Sequence, residues 1–571
     1  MANCFKLLAA SESPLAAELS DRPVNIIPSS EKSMSLARSW LHNCMQAHKI
    51  CPKPTGKFMP TRILAISGVG ESTHLRLLEN PYPEPYVTLS YCWGDKQQLT
   101  TTTSNIQRHT TDVNFLDLPA TVKDAITVSI GLEIRRLWVD SLCIIQDDDD
   151  DKAREISQMP LIYSQSTVTI VASRASGVYQ GFLQERITPT YTRPAFELPY
   201  RCIGGEIGTA VLLPYWYTPE EAHQPLESRG WALQERLLSP RVLEYRSLHT
   251  RWVCQDSQSR VGDERTDGFV NRNRLYGDAS LSSQAPAAAL SIECLPILDS
   301  KEFGSHITLW YDIVKLYTQL VLTVSSDRIL AISGIASRFQ AIFDDDYCAG
   351  LWKANLSREL LWNMDESPYR RLEPRPEYQG PSWSWVSVNG GVYFDYSTSK
   401  WRKEQVDDYF EILDCQLQLR GGDESFGRFG AVESGALLIK GRVQQAILAR
   451  PRTCWSTILH RLVRKVDSED QSGILDSLGL RLDAHVEFTT VDFIPIFLLK
   501  VTNHNPTTPS CRGLILRQER EFVYSRLGVF SFDYDRIPEQ LGETSVTHKR
   551  LQHVQELGWL DEGAIRTITL V

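Results

Sequence analysis

The chain has 571 residues, of which 42% are hydrophobic and 23% charged, and its formal net charge is -10. This composition is typical of a globular protein of about two to four domains. The negative charge argues against a nucleic-acid partner, because binding a polyanion requires a positively charged surface. The longest apolar runs reach about half of the ~20 residues that a membrane-spanning helix needs, and no secretory signal is recognisable. We therefore expect a cytoplasmic protein without a membrane span.

Twelve cysteines are scattered from Cys4 to Cys511 without a CxxC pair. This spacing predicts reduced thiols in the cytosol and suggests neither a zinc module nor a dense disulfide framework. The histidines show no HExxH or other metal-binding spacing, so the sequence predicts no metal site. The chain also contains no GxSxG, GxGxxG or GxxxxGK[ST] motif, which disfavours several common enzyme classes.

The first domain is predicted to begin near residue 81, after a mixed helical and irregular region over 1–80. A β-strand is predicted from Val87 to Tyr91, and the chain then alternates between helix and strand. The predicted order is a helix at 121–133, a short buried strand at 135–145, a helix at 151–165 despite Pro160, and a strand at 166–173. Such alternation builds a parallel sheet covered by helices.

The first domain is predicted to extend to residue 260. Residues 176–226 look like an insertion or a set of short strands, and a helical pattern followed by the strand-like 241–245 completes the domain at 81–260. Residues 261–300 are predicted to be a linker, and 301–571 to be helical at first and then rich in β-strands. The hexapeptide ILAISG occurs at 63–68 and again at 329–334, but no period follows, so we infer no repeat.

Three segments, in this order, resemble the blocks of the fungal heterokaryon-incompatibility (HET) domain: YVTLSYCWGD at 86–95, residues 118–173 with LWVDSLCIIQDD, and SRGWALQERLLSPRVLEY at 228–245. Proteins of this family act in non-self recognition, where fusion of unlike individuals triggers programmed cell death. The resemblance therefore implies self-association or other death-signalling proteins as partners. Some members lie beside genes of secondary metabolism.

The HET blocks in turn resemble the Toll/interleukin-receptor (TIR) domain. The implied fold is a TIR-like, flavodoxin-like parallel sheet with flanking helices, joined here to a helical and β-rich C-terminal region. Ser90 and Tyr91 would end the first strand, Asp140 would follow the second, and Trp231 and Glu235 would lie on a later helix. The sequence departs from the TIR pattern because some fifty residues separate this helix from the third strand.

The TIR resemblance implies cleavage of the bond between nicotinamide and ribose in NAD, with NAD as substrate and no required cofactor. Glu235 is the catalytic candidate, because a carboxylate can stabilise the ribose cation that forms. A buried glutamate is more often ion-paired, however, and Arg229, Arg236 and Arg241 are close in sequence. The pattern slightly favours this ion pair over catalysis.

The other candidate site residues would bind the substrate, and each has a structural alternative. Trp93 could stack on a ring and Gly94 could let the backbone approach a ligand, but the pattern slightly favours Tyr91 and Trp93 as core aromatic residues beside a tight turn. Asp140 could contact a ribose or bond to a neighbouring loop. The full set of binding candidates is Tyr91, Trp93, Gly94, Asp140, Arg229 and Trp231.

The acidic run from Asp147 to Asp151 lacks the spacing of a calcium loop. Adjacent carboxylates of this kind are typical of a solvated loop that also favours the N-terminus of the next helix.

Three hypotheses for function remain open on the sequence alone. The protein could be a cell-death effector that consumes NAD, or a non-enzymatic module that signals by assembly. It could also be an accessory enzyme of a secondary-metabolite pathway that acts on a small molecule, since no substrate-binding motif is specific enough to exclude this.

Overall fold

The computed structural model consists of two compact units, Met1–Asp299 and Ser300–Val571. The structure describes residues 5–10, 13–19, 22–54, 56–68, 70–94, 99–187, 196–214, 224–256, 261–262, 303–364, 374–394, 405–420, 429–454, 457–464, 478–483, 493–503, 510–533 and 558–571. The linker predicted at 261–300 lies almost wholly outside these residues. Within them, no helix combines the length and apolar character needed to cross a membrane.

The first unit alternates between strands and helices over most of its length. Its strands are β1 Phe5–Ala9, β2 Arg62–Ser67, β3 His74–Glu79, β4 Val87–Ser90, β5 Arg136–Trp138, β6 Val168–Val171, β7 Phe196–Arg201, β8 Ile207–Pro214, β9 Arg241–Tyr245, β10 Thr250–Cys254 and β11 Val261–Gly262. Its helices are α1 Glu31–Ala47, α2 Ile106–Thr111, α3 Ala120–Gly131, α4 Asp140–Cys143, α5 Asp149–Ser164 and α6 Gly230–Leu238.

An eight-stranded sheet forms the centre of the first unit, in the order β11-β10-β9-β6-β4-β5-β2-β3. The four middle strands, β9, β6, β4 and β5, are parallel, whereas β2, β3, β10 and β11 pair antiparallel at the two sides. The sheet is therefore mixed, and the expectation of a wholly parallel sheet holds only for its centre. A separate three-stranded antiparallel sheet joins β1, β8 and β7.

Strand β4 lies in the middle of this sheet with partners on both sides. All of its residues are buried, and Thr88 hydrogen-bonds across to Thr169 of β6, with 2.7 Å between the two hydroxyl oxygens. Helix α5 packs against α6, and α1 packs against α3. In a strand that is buried at every position, polar side chains need partners, and the Thr88 and Ser90 hydroxyls of VTLS both bond to neighbouring side chains.

The segment predicted as one strand at 135–145 changes structure after three residues. Residues Arg136–Trp138 form β5, and the chain then turns into the short helix α4 at Asp140. The apolar pattern alone could not reveal this change, because buried helices and buried strands share it. The change places Asp140 just after the end of a central strand, in the first turn of α4.

The repeated hexapeptide folds in two different ways. Its first copy, at 63–68, lies in β2, whereas its second copy, at 329–334, enters the helix Leu330–Phe343 of the second unit. The same six residues thus follow their surroundings, as expected when tertiary packing overrides local preference. Our inference that the copies do not mark a structural repeat agrees with this.

The second unit begins with helices and continues into a large sheet. Its helices are α7 Phe303–Thr318, α8 Leu330–Phe343 and α9 Leu356–Glu359. Its strands are β12 Tyr347–Cys348, β13 Leu351–Trp352, β14 Asn363–Met364, β15 Val392–Tyr393, β16 Gln405–Val406, β17 Glu411–Leu419, β18 Val432–Cys454, β19 Thr457–Arg464, β20 Leu478–Leu482, β21 Phe493–Asn503, β22 Ser510–Arg520, β23 Val523–Asp533 and β24 Ala564–Leu570. The nine strands from β16 to β24 pair into one sheet, almost entirely antiparallel.

A buried carboxylate on β9 fixes the position of helix α6 in the first unit. Glu244 accepts two hydrogen bonds of 2.9 Å from Arg236 of α6, and it also contacts Arg246, Arg251 and the hydroxyl of Ser173. Burial alone would raise the pKa of Glu244, but the three arginines outweigh it and hold the pKa well below its usual value. The helix that carries the main candidate residue is therefore tied to the sheet by a charged network.

Replacement of Glu244 by glutamine should destabilise the first unit strongly. The variant would leave Arg236 and its two neighbouring arginines buried without their shared negative partner, which costs about 3–5 kcal/mol. Urea unfolding of the full chain measures the change, with the exposed Glu79→Gln on β3 as the control, for which less than about 0.5 kcal/mol is expected. Equal effects of the two substitutions would contradict this account of the network.

Candidate functional site

The candidate site lies at the carboxyl end of β4. In the sheet, β4 lies between β5 and β6, and both pair parallel with it. After β4 the chain first adds β5 on one side and then crosses to add β6 on the other, so the direction in which strands are added reverses at β4. Open α/β sheets bind their ligands at such a reversal, outside the carboxyl ends of the strands. Ser90 ends β4 at this point, and the segment from Tyr91 to Gly94 leaves the sheet here.

The carboxyl group of Glu235 meets the end of β4. Helix α6 carries Glu235 with only 7% of its surface exposed, and the Ser90 hydroxyl donates a hydrogen bond to its Oε2 atom. The hydroxyl of Tyr163, on α5, also lies beside this carboxyl group and donates to the carbonyl of Leu89 at 3.1 Å. The structure thus brings together a strand end and two helices around one acidic side chain.

Burial raises the pKa of Glu235 to about 7, although the hydrogen bond from Ser90 favours the charged form. The nearby Asp140 carboxyl raises this pKa further, whereas Arg229 lowers it. Burial also raises the pKa of Asp140 itself. Near neutral pH, Glu235 therefore exists in both its protonated and its ionised form, which suits an acid–base or charge-stabilising group.

The ion pair that the sequence slightly favoured for Glu235 is not among its contacts with described residues. Arg236 pairs with Glu244 instead. Arg241 donates to the sulfur of Cys44 and to backbone carbonyls, and Arg229 donates to the Tyr91 carbonyl. Proximity in the sequence did not predict the pairing, because the side chains of these arginines point to other partners. Glu235 is instead held by hydroxyl groups.

Aromatic and acidic side chains next to Glu235 form a connected group. Trp93 donates from its indole nitrogen to Asp140 at 2.9 Å, and Tyr91 donates to the Ser141 hydroxyl at 3.0 Å. Asp140 also accepts from the backbone N–H of Ser141, at the start of α4. Tyr91 is buried and Trp93 is half-buried. Asp140 thus orients the indole ring, and the contact to a neighbouring loop that we considered for Asp140 is present.

Gly94 meets protein backbone in this structure. Its φ angle is +76°, and a Cβ atom placed there would lie 3.2 Å from the Cα atom of Gly177. The carbonyl of Trp93 accepts from Val178 N at 3.3 Å in the same contact. Close packing of two chain segments therefore accounts for glycine at this position.

The two remaining binding candidates lie at the start of α6. Arg229 directly precedes the helix and is half-buried, with its guanidinium close enough to influence both Asp140 and Glu235. Trp231 lies in the first turn of α6 and is also half-buried. Of the sequence-predicted residues, Tyr91, Trp93, Asp140 and Arg229 are therefore linked to Glu235 directly or through one another.

The space beside this group is small. A cavity of about 10 Å³ is lined by Ser90, Arg229 and neighbouring residues of β6 and α6. This volume holds about one water molecule, whereas ligand pockets usually measure ~300–1,000 Å³. Glu235 does not line this cavity and is itself only 7% exposed among the described residues.

The acidic run has structural partners. Asp148 caps the N-terminus of α5 by accepting from the N–H groups of Asp150 and Asp151, and Asp147 accepts from Thr103. Asp151 forms a buried ion pair with Arg62 of β2. The run therefore begins a helix, as the charge pattern indicated, although the helix starts at Asp149, two residues before the predicted Asp151.

Residues 86–235 match the family described as "Heterokaryon incompatibility protein (HET)". The chain carries a HET domain. The match begins at Tyr86, just before β4, and ends at Glu235, so both halves of the candidate site lie within it. No curated protein and no solved structure matches the chain.

The sequence analysis missed one residue of the site, Tyr163, and one cluster of potential metal ligands elsewhere in the first unit. Tyr163 lies on the buried face of α5, where an aromatic residue gives no sign of a polar role. Four potential metal ligands also lie within 4.8 Å of one another outside the HET match: Cys44, His48, Cys51 and Cys254. His48 and Cys254 are 206 positions apart, so no local motif revealed this cluster.

Glutamine at position 235 should stabilise the protein at alkaline pH. The pKa of Glu235 is raised from 4.5 to about 7 on folding, so its favourable contribution is complete below pH 4.5 and lost as the pH rises through 7. Relative to the wild type, Glu235→Gln should therefore gain up to about 3 kcal/mol between pH 5 and pH 8. Urea unfolding at the two pH values tests this, with Glu79→Gln as the control. A gain of equal size at both pH values would contradict the raised pKa.

Proposed function

We propose that this HET-domain protein acts in heterokaryon incompatibility as a cell-death effector that hydrolyses NAD, with Glu235 as the catalytic carboxylate. The observation that carries the proposal is the state of Glu235: buried, held by hydroxyl groups, and with a pKa of about 7 at the carboxyl end of a central parallel strand. Carboxyl groups perturbed in this way are concentrated at functional sites.

The reaction requires little beyond one carboxylate. NAD carries a positive charge on its nicotinamide ring, so nicotinamide leaves as a neutral molecule with the electrons of the glycosidic bond. The ribose then bears the positive charge, which ionised Glu235 would stabilise until water adds and releases a proton. The products are nicotinamide, ADP-ribose and one proton.

The strand order supports the resemblance to TIR domains. Numbered in chain order, the four parallel strands β4, β5, β6 and β9 lie in the order 2-1-3-4, which is the beginning of the flavodoxin-like order 2-1-3-4-5. Ser90 and Tyr91 end the first of these strands, and Asp140 follows the second. In the proposed site, Trp93 would stack on the nicotinamide ring, and Arg229 would attract the phosphate groups.

Hydrolysis requires the site to open, because Glu235 is only 7% exposed and the small cavity beside it has room for about one water molecule. Opening would admit the dinucleotide from the carboxyl edge of the sheet. Assembly of several chains is the expected trigger, in line with the self-association that the family resemblance implies. Activity should therefore increase more steeply than in proportion to protein concentration.

Glu235→Gln should abolish NAD turnover. Loss of the negative charge that stabilises the ribose cation predicts a decrease of about 100- to 1,000-fold, as found when a single stabilising group is removed. The assay measures nicotinamide release by the full chain, at protein concentrations that promote assembly. Glu359→Gln is the matched control, because Glu359 is also buried with a raised pKa, about 8, but lies in the second unit.

The proposed activity is refuted if the wild-type protein releases no nicotinamide under conditions where a known TIR NAD hydrolase is active. It is also refuted if Glu235→Gln and Glu359→Gln retain equal activity.

The pH dependence gives a second test of the role of Glu235. Only the ionised carboxylate stabilises the ribose cation, and its pKa is about 7. We expect kcat/KM for NAD to fall about tenfold per pH unit below that value and to level off above it. A profile that is flat from pH 5 to pH 8 would contradict the assignment.

A second candidate function is a non-enzymatic module that signals by assembly, and the burial of Glu235 favours it. In that case Glu235 contributes only to the fold. Glu235→Ala would then still cause cell death on expression, whereas surface substitutions that abolish self-association would prevent it. The two functions are thus distinguished by whether death follows the carboxylate or the assembly.

A further inference from the structure

A cluster of three cysteines and one histidine lies in the first unit, formed by Cys44, His48, Cys51 and Cys254. All four side chains are buried, with exposures of 0%, 7%, 2% and 6% in this order. One potential ligand atom from each residue lies within 4.8 Å of all the others. We propose that this cluster, here called the Cys3His cluster, binds a structural zinc ion.

Local structure places three of the ligands together. Cys44 lies in the last turn of α1, and His48 follows the helix at the next position on the same face, four residues later. At His48 the backbone leaves the helix, with a ψ angle of 119°, and the chain turns so that Cys51 returns towards Cys44. Cys254, the last residue of β10, supplies the fourth ligand from the sheet.

The distances agree with a tetrahedral metal site. Zn–N bonds of about 2.0–2.1 Å and Zn–S bonds of about 2.3 Å place a nitrogen and a sulfur ligand about 3.6 Å apart. In the structure, Nδ1 of His48 lies 3.6 Å from the sulfur of Cys51 and 3.5 Å from the sulfur of Cys254. The Asn43 amide lies 3.4 Å from the other ring nitrogen, Nε2, and so fixes the ring with Nδ1 towards the sulfur atoms.

Arg241 provides an independent indication of negative charge at this place. Its side chain is 1% exposed, and it donates to the sulfur of Cys44 at 3.2 Å and to the carbonyls of Thr167 and Pro52. Among the described residues, no carboxylate forms an ion pair with this guanidinium. A buried cation without an anionic partner is costly. Three thiolates, one neutral histidine and one Zn²⁺ sum to a charge of about -1, which would balance Arg241.

The ligand set favours zinc and a structural role. Three soft thiolates and one imidazole in tetrahedral arrangement suit zinc, and four protein ligands leave no coordination position open for a substrate. Bound metal would join α1 to β10, two segments that lie on either side of the HET match in sequence. The ion would thereby hold the N-terminal helix of the first unit to the edge of its sheet.

Metal analysis of the full chain, purified with reductant and without chelator, tests the proposal. We expect about one zinc ion per chain, and loss of most of it in His48→Ala. His48→Cys should retain the metal, because four cysteines also bind zinc, and this separates loss of a ligand from loss of the fold. Cys511→Ala is the matched control, since Cys511 is equally buried but lies in the second unit, and it should keep its zinc.

Replacement of zinc by cobalt gives a second measurement on the wild-type protein. Cobalt in the Cys3His cluster should show the intense visible bands of tetrahedral coordination and a thiolate-to-cobalt charge-transfer band in the near ultraviolet. The proposal is overturned if protein from zinc-supplemented cells contains no stoichiometric zinc and gives no such cobalt spectrum. A disulfide between two cysteines of the cluster in the reduced preparation, or equal zinc loss in His48→Ala and Cys511→Ala, would also overturn it.

Discussion

One carboxyl group, that of Glu235, is buried against the end of a central strand of the HET domain, and this burial determines its protonation. The Ser90 hydroxyl donates to Glu235 and the Tyr163 hydroxyl lies beside it, and no arginine among the described residues forms an ion pair with it. Burial without a cationic partner raises the pKa of a carboxyl group, whereas burial with arginines lowers it. Glu244 of the same unit shows the opposite outcome, because three arginines surround it and hold its pKa well below the usual value.

These two glutamates therefore divide the roles in the first unit. Glu244 ties α6 to the sheet through Arg236 and thereby holds Glu235 in place. Burial of Glu235 destabilises the folded protein when the carboxyl group is ionised, and such a loss of stability is common at functional groups. If the Cys3His cluster binds metal, α1 and β10 are fixed at another side of the same sheet. Arg236 would then be neutralised by Glu244, and Arg241 by the metal-bound cluster.

The sequence predicted the central part of this fold well. Helix α3, helix α5 with its internal Pro160, and strands β4, β6 and β9 lie close to their predicted positions, because their apolar patterns are long or strongly β-branched. The change from β5 to α4 could not be predicted, since a short buried helix has the same apolar pattern as a buried strand. The antiparallel strands at the two sides of the sheet could not be predicted either, because tertiary packing determines which strands pair.

The candidate site was predictable only through its family blocks. Proximity in the sequence suggested arginine partners for Glu235, but the orientation of each side chain decides the pairing, and Arg236 points to Glu244. Gly94 was predicted to let the backbone approach a ligand, and in the structure its close contact is with Gly177. The Cys3His cluster escaped prediction because its fourth member lies 206 positions from His48, so that only the fold brings them together.

Infrared difference spectroscopy of the wild type against Glu235→Gln tests the central claim most directly, because it observes the protonation of this carboxyl group itself. The account predicts that the C=O band of a protonated carboxylic acid, present at pH 5 in the wild type and absent in the variant, disappears with a midpoint near pH 7. A midpoint near the ordinary glutamate value of about 4.3 would contradict it.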